Sequence, residues 1–93
     1  MNFRVIRSLR AAGHIRDIAL YLTEFSPPAA QRFLLAMRHA HDQLSAFPNS
    51  GSAGTVSETR RLVVGDYIVS YRLKRETVQI VAVRHGKRRD VRF

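Results

Sequence analysis

The chain has 93 residues, and 45% of them are hydrophobic, which suits one small globular domain over residues 1–93. It contains no cysteine, which excludes disulfides, thiolate metal sites and a cysteine nucleophile. No apolar run approaches the roughly 20 residues of a membrane span, and Met1–Val5 shows no signal-peptide pattern. We therefore expect a cytoplasmic protein.

The charge of the chain is strongly basic. Sixteen Lys and Arg residues oppose seven Asp and Glu residues, and the formal net charge is +9. Residues 60–93 hold ten of the bases and three of the acids, so this third of the chain carries +7. All but two of the bases are Arg, whose planar guanidinium suits carboxylates and phosphates. The expected partner is a nucleic acid or an acidic protein segment; a solvated basic face without a ligand is the alternative.

A short strand and two helices are predicted for the first half of the chain. Phe3–Ile6 alternates weakly, as is typical of a strand. From Leu9 to Phe25 the apolar residues recur at helical spacing, and Ser26-Pro27-Pro28 then ends this helix and caps a second one. The second helix is expected to end near Phe47-Pro48, and the short proline turn makes the pair an antiparallel hairpin. The apolar stripes are Ile15, Ile18, Ala19, Leu22 and Phe25 in the first helix, and Ala30, Phe33, Leu34, Met37, Ala40, His41 and Leu44 in the second.

Three strands are predicted after a loop at residues 49–54. They are residues 61–64, 67–73 and 77–83, separated by Gly65-Asp66 and by Lys74-Arg75-Glu76. Consecutive strands with such short links form an antiparallel meander, with one face open to the helices. The order strand, helix, helix and three strands predicts an α+β fold, in which the helical hairpin packs on the meander.

Three segments carry a family pattern in the same chain order. Pro27–Leu34 and Leu44–Gly51 give a proline-alanine start, an amphipathic helix, and a phenylalanine-proline and glycine ending. Arg61–Arg72 contains a glycine-aspartate-tyrosine turn between two strands, and Ile80–Asp90 ends in histidine, glycine, bases and aspartate. Together these segments resemble the ParE-like toxins of the RelE/ParE superfamily over nearly the whole chain.

This resemblance implies a RelE/ParE-like fold and the toxin of a type II toxin–antitoxin pair. RelE-like members cleave messenger RNA within the ribosome, whereas ParE-like members inhibit DNA gyrase. Both are silenced by a cognate antitoxin, commonly a ribbon-helix-helix module whose disordered tail folds on the toxin. We therefore expect a gyrase inhibitor that acts by binding and forms a hetero-oligomer with a ParD-like, acidic-tailed antitoxin. Neither cofactor, metal nor membrane is expected.

The alternative function is a RelE-type ribonuclease that needs no metal. It needs cations that neutralise charge developing on phosphorus and a group that moves protons. Its candidate catalytic residues are Arg61, Arg72, Arg84, His85 and Arg88. His85 is the first acid or base to consider, because an imidazole ordinarily exchanges its proton near neutral pH.

Three features of the sequence oppose the nuclease alternative. Ile68 stands where many RelE-like members have a basic residue that serves the phosphate. No tyrosine follows Tyr71, and Phe93, the available C-terminal aromatic residue, has no hydroxyl. The loop at 50–57 contains no lysine, so a proton-handling lysine cluster is absent from the sequence.

Strand alternation predicts which residues bind a partner. Residues two apart share a face, so Tyr67 and Tyr71 point to the core while Ile68, Ser70 and Arg72 point to the opposite face. That half-apolar face, bordered by bases, is expected to accept a strand or peptide of the antitoxin. The expected antitoxin-binding residues are Ile15, Ile18, Leu22, Phe33, Met37, Arg61, Ile68 and Arg72. The expected target-binding residues are Arg84, His85, Lys87, Arg88, Arg89 and Arg92.

The other histidines are not expected to bind a metal. His39 and His41 are two residues apart in a helix and face different sides, whereas a chelating pair needs a spacing of three or four. His14 has only Asp17 at helical spacing, which is typical of a surface contact.

Overall fold

The chain folds as two helices packed on a five-stranded sheet. The computed structural model describes residues 2–54, 56 and 58–86. Along this part of the chain the elements are β1 (Arg4–Arg7), α1 (Leu9–Phe25), α2 (Pro27–Ala46), β2 (Ser52–Ala53), β3 (Thr59–Val64), β4 (Tyr67–Lys74) and β5 (Thr77–His85). The predicted α+β class is confirmed. Strand β2 was not predicted, because two residues are too few to show an alternation.

Serine side chains set the bounds of both helices. The Ser8 Oγ accepts a hydrogen bond from the Ala11 N–H over 3.0 Å and so caps the start of α1. The Ser26 N–H donates to the Leu22 carbonyl oxygen over 2.7 Å, while its Oγ accepts from the Ala29 N–H over 3.3 Å. Ser26 therefore ends α1 and begins α2, and the following prolines are tolerated in the first turn because that turn needs no N–H donor.

The sheet is mixed, with the strand order β1-β5-β4-β3-β2. β3, β4 and β5 form the predicted antiparallel meander, and β1 pairs in parallel with β5 at one edge. Gly65 makes the β3–β4 turn with a φ of +59°, a left-handed conformation that glycine adopts at little cost. At the other edge β2 pairs only with Arg60 and Arg61, so it covers a third of β3.

The apolar stripes of the helices pack on one face of the sheet and form the core. The buried sheet residues of this core are Leu62, Val69, Tyr71, Val78, Ile80 and Val83. Two apolar residues of the predicted stripes lie elsewhere. Phe25, in the last position of α1, is 70% exposed and contacts the Tyr21 ring at 4.8 Å between centroids. Leu34 is 48% exposed because it lies about 100° around the helix from the buried Phe33.

His14 is buried, which corrects the expectation of a surface contact. Its Nδ1 accepts a hydrogen bond from the Val83 N–H over 3.1 Å, and the Ser8 Oγ donates to the Val81 carbonyl oxygen over 3.4 Å. The β4–β5 register shifts between Ser70 and Tyr71, which leaves an extra residue in β5 at this point. Side chains of α1 and of its Ser8 cap thus bind backbone groups of β5 beside the irregularity, and no periodicity in the sequence predicts these contacts.

Tyr71 attaches the α2–β3 loop to the sheet. Its side chain is fully buried, and its hydroxyl donates to the Pro48 carbonyl oxygen over 2.7 Å and accepts from the Gly51 N–H over 3.0 Å. The Arg60 Nη1 donates to the Gly51 carbonyl oxygen over 2.9 Å. A Cβ at position 51 would lie 2.7 Å from the Tyr71 hydroxyl, so only glycine fits there. One hydroxyl therefore satisfies two buried backbone groups of the loop.

Replacing Tyr71 with Phe should lower the free energy of unfolding by about 1–3 kcal/mol, because a buried N–H and a buried C=O lose their partner. Gly51→Ala should be destabilising too, because its methyl group would meet the same hydroxyl. Gly13→Ala is the control: its Cβ meets only Arg16 at 3.9 Å, so it should stabilise the helix by roughly 0.5–1 kcal/mol. Denaturant unfolding measures all three. An unchanged midpoint for Tyr71→Phe would show that the hydroxyl does not hold the loop.

Candidate functional site

The sheet face opposite the helices is basic. Strand alternation and register place five cations on it: Arg4 of β1, Arg61 of β3, Arg72 and Lys74 of β4, and Arg84 of β5. None of the described strands contains an Asp or Glu. We call this surface the open sheet face. Its cations lie on strands rather than loops, so the sheet holds them in fixed rows.

Apolar residues lie between these cations. Ile68 of β4 is paired with Val63 on one side and with Arg84 on the other, and side chains of paired residues are roughly 5 Å apart. Arg61 lies one row further along, opposite Ser70. The open sheet face therefore combines an apolar strip with arginines on both sides of it.

The arginines of the open sheet face have no carboxylate partner in the described part of the chain. The ion pairs found there are Arg16–Asp17 and His41–Asp42, and both lie on the helices. Arg61 is half-buried, and its Nε is buried without a hydrogen-bond acceptor among the described residues. A buried donor without an acceptor is costly, so a partner that brings a carboxylate or phosphate oxygen would bind favourably here.

His85 lies on the other side of the sheet from these arginines. It directly follows Arg84 in β5, and consecutive strand residues point to opposite faces. The His85 ring contacts the Tyr67 ring edge-on at 5.3 Å between centroids, and Tyr67 contacts Phe33 at 4.6 Å. Of the candidate catalytic residues, Arg61, Arg72 and Arg84 thus share the open sheet face, while the sheet separates them from His85. Arg88 lies outside the described residues.

A pocket of about 550 Å³ lies beside His85, between the helices and the β3–β4 turn. We call it the aromatic pocket. Its apolar walls include Tyr21 and Leu22 of α1, Phe33 of α2, and Tyr67 of β4. Asp17, Arg32 and Asp66 are the charged residues among those that line it. Such a volume is sufficient for a small ligand or for one large side chain of a partner.

The structure separates the residues expected to bind the antitoxin into three groups. Ile15 and Met37 are only 7% and 3% exposed, and they are core residues rather than contact residues because the hairpin stripe packs on the sheet. Ile18, Leu22 and Phe33 also face inward, but each lines the aromatic pocket. Arg61, Ile68 and Arg72 lie together on the open sheet face.

The residues expected to bind the target are divided as well. Arg84 lies on the open sheet face, and His85 lines the aromatic pocket. Lys87, Arg88, Arg89 and Arg92 lie outside the described residues. Asp17, Tyr21, Arg32 and Asp66 also line the aromatic pocket, and no sequence pattern predicts this. Asp17 and Tyr21 are spaced i, i+4 and share a helix side, but nothing in the sequence places the β3–β4 turn beside them.

No group of three or more His, Cys, Asp or Glu side chains in the described residues is placed to bind a metal ion. No helix within the same residues is long and apolar enough to cross a membrane. The open sheet face and the aromatic pocket are the candidate binding surfaces of the described residues.

Comparison with known proteins identifies the family to which this chain belongs. A family model described as the ParE toxin of the type II toxin–antitoxin system, parDE, matches residues 5–90. Toxin RelE2 of Caulobacter vibrioides is 34% identical over 85 residues, which cover 91% of this chain and 97% of that protein. The chain belongs to the ParE toxin family of type II toxin–antitoxin systems.

Solved structures have the same fold at low sequence identity. One is the chromosomal ParDE toxin–antitoxin system from P. aeruginosa, with a TM-score of 0.79, 17% identity, and coverage of 91% of this chain and 97% of that chain. Another is the toxin–antitoxin complex RelBE2 from Mycobacterium tuberculosis, with a TM-score of 0.70, 21% identity, and coverage of 91% and 92%. These similarities agree with the α+β fold described above.

Removing charge from the open sheet face should not destabilise the protein. Arg72→Gln combined with Arg84→Gln removes repulsion between cations that have no counter-charge among the described residues, so the free energy of unfolding should stay equal or rise by up to about 1 kcal/mol at low salt. The difference should vanish near 1 M salt, where the Debye length is about 3 Å. Arg10→Gln with Arg38→Gln removes the same charge from the helices and is the control. A loss of more than about 1 kcal/mol for the sheet variant would mean that these arginines have structural partners.

Proposed function

We propose that this chain is the toxin of a type II toxin–antitoxin pair, that it acts in the cytoplasm by binding, and that DNA gyrase is its target. Membership of the ParE toxin family supports the toxin role. The solved relatives are toxin–antitoxin systems, which supports an antitoxin partner for this chain. The ParE-like motifs in the sequence favour gyrase over the ribosome.

The separation of His85 from the arginines is the observation that favours binding over catalysis. Cleavage of RNA by general acid–base chemistry requires that the group that moves the proton and the cations that bind the phosphate contact the same reacting atoms. Here His85 faces the helices while Arg61, Arg72 and Arg84 face away from them. Ile68 occupies the middle of the cationic face, where it offers no hydrogen bond. The described residues thus supply charge without a proton carrier beside it.

The open sheet face is the proposed contact for an acidic tail of the antitoxin, which we take to be ParD-like. Its five cations attract carboxylates, and the Arg61 Nε lacks an acceptor that such a tail would supply. Strand β2 pairs only with Arg60 and Arg61, so residues 62–64 form an outer edge of β3 that has no strand partner in the described chain. An extended acidic peptide would add a strand at this edge and place alternate side chains beside Val63, on the open sheet face.

The purified toxin should reduce the supercoiling of relaxed plasmid by DNA gyrase, and it should leave messenger RNA intact on translating ribosomes. Binding energy alone is needed for the first effect, whereas the second requires a proton carrier beside the arginines. Expression without antitoxin should then cause DNA damage and filamentation rather than an arrest of translation. Supercoiling is read from the topoisomer distribution, and cleavage from mapped RNA ends.

Addition of the cognate antitoxin is the control that should restore supercoiling. Cleaved messenger RNA that disappears in both Arg72→Ala and His85→Ala would overturn the binding mechanism and establish the nuclease alternative. Unchanged supercoiling together with intact RNA would remove gyrase as the target.

Reversing charge on the open sheet face should weaken antitoxin binding. Arg72→Glu combined with Arg84→Glu should raise the Kd for the antitoxin at least about tenfold, because each carboxylate of the acidic tail would meet a like charge. The loss should shrink as salt screens the repulsion. Arg10→Glu with Arg38→Glu changes the net charge equally but alters the helices, and it should change the Kd much less. Equal losses in both variants, measured by titration calorimetry, would mean that only net charge matters and not this face.

A further inference from the structure

Acidic residues of this basic protein lie at the aromatic pocket. Residues 17–31, which form the end of α1 and the start of α2, contain Asp17 and Glu24 and no base. Asp66, in the β3–β4 turn, lines the aromatic pocket together with Asp17. Two of the few carboxylates in a chain of net charge +9 therefore lie at one pocket.

The walls of this pocket present aromatic rings. Phe33, Tyr67 and His85 form a continuous series, with centroids 4.6 and 5.3 Å apart, and Tyr21 lies on the α1 side. The faces of such rings carry partial negative charge and attract cations. Rings and carboxylates on one cavity suit a cationic group with an apolar stem, which describes the side chains of Arg and Lys.

Two neighbouring groups act on the charge of the pocket. Arg32 lines the pocket and would repel a bound cation. Arg32 is an exposed residue, however, so its side chain can turn towards solvent. The Arg16 Nε binds the Asp17 Oδ1 over 3.3 Å, but both side chains are exposed and such pairs are weak in water. Asp17 and Asp66 outnumber Arg32 among the described lining residues, so the formal charge of these three side chains is −1.

We propose that the aromatic pocket is a second docking site, which takes an arginine or lysine side chain from a basic, partly apolar segment of a protein partner. The acidic antitoxin tail proposed for the open sheet face would meet two carboxylates here, so the two surfaces select partners of opposite charge. The proposal does not depend on the identity of the toxin's target.

A protein segment fits better than a free small cation because apolar surface continues beyond the pocket. The Phe25 ring is 70% exposed and lies against Tyr21, which lines the pocket. In a bound peptide, the residue next to the Arg or Lys would cover the Phe25 ring. A small molecule inside the pocket would leave this ring exposed to water. A second copy of this chain is disfavoured because each copy carries +9.

Three short peptides that differ at one residue test the choice of charge: acetyl-Leu-Arg-Leu-amide and the same peptide with Gln or Glu in the middle. Each is titrated into the full-length protein, and the NMR signals of Tyr67 and His85 are followed. The Arg peptide should bind roughly three- to tenfold more tightly than the Gln peptide, and the Glu peptide should bind most weakly. Signals of Ala82, on the open sheet face, should not move with the Arg peptide.

Matched variants locate the interaction. Asp17→Asn and Asp66→Asn should each weaken binding of the Arg peptide by a few-fold, because each makes the pocket less negative. Arg32→Gln should strengthen binding, because it makes the pocket more negative. Asp42→Asn removes the same charge from an exposed part of α2 outside the pocket and should have no effect. Gln-peptide affinity should stay constant in all four variants.

The outcomes separate the alternatives. Equal binding of the Arg and Gln peptides would overturn the proposal and leave an apolar pocket without charge selection. Tighter binding of the Glu peptide would overturn it in favour of an acidic occupant. A shift of the Ala82 NMR signals rather than the Tyr67 signals would show that the peptide binds the open sheet face, and would overturn the proposal. Antitoxin binding and gyrase inhibition are measured separately, so their failure would leave this test unaffected.

Discussion

Burial of a single face of the sheet is the constraint on which the rest of this structure depends. The two helices contribute one apolar stripe each, which is enough to cover one side of a small sheet and not both. Strand residues alternate between the two sides, so every second residue enters the core and its neighbours meet solvent. The basic residues of the strands are consequently concentrated on the uncovered side. This explains how Arg84 and His85 can be neighbours in the chain and still act in different surroundings.

The core fixes the positions of the cations on the open sheet face, although these cations repel one another. Cations that face one another without carboxylates destabilise a fold, but here they are on strands whose opposite side packs against the core. Val69 and Tyr71 are buried on either side of Ser70 in β4, and Tyr71 also binds the loop before β3. The arginines therefore keep their spacing without a partner. A surface that is already ordered loses less entropy when an acidic chain binds it, which favours binding.

The two candidate surfaces differ in charge and in shape. The open sheet face is broad, basic and adjacent to an uncovered edge of β3, which suits an extended acidic peptide. The aromatic pocket is concave, lined by rings and carboxylates, and suits one inserted side chain. Because the sheet lies between them, both can be occupied at once. A toxin of this form has room for a neutralising partner on one side and a different protein on the other.

The sequence by itself determined the local features of this protein, and the tertiary structure decided how they meet. Ser26 with its prolines predicted the helical hairpin, and the glycine-aspartate turn predicted β3 and β4, because caps and turns depend on neighbouring residues only. Alternation also predicted that Ile68 and Arg72 lie opposite the core. The register shift in β5, the burial of His14 and the aromatic pocket depend on contacts between residues far apart in the chain. Their positions follow from how α1 packs across β5 and how the β3–β4 turn meets the hairpin, because long-range packing leaves no periodic pattern in a sequence.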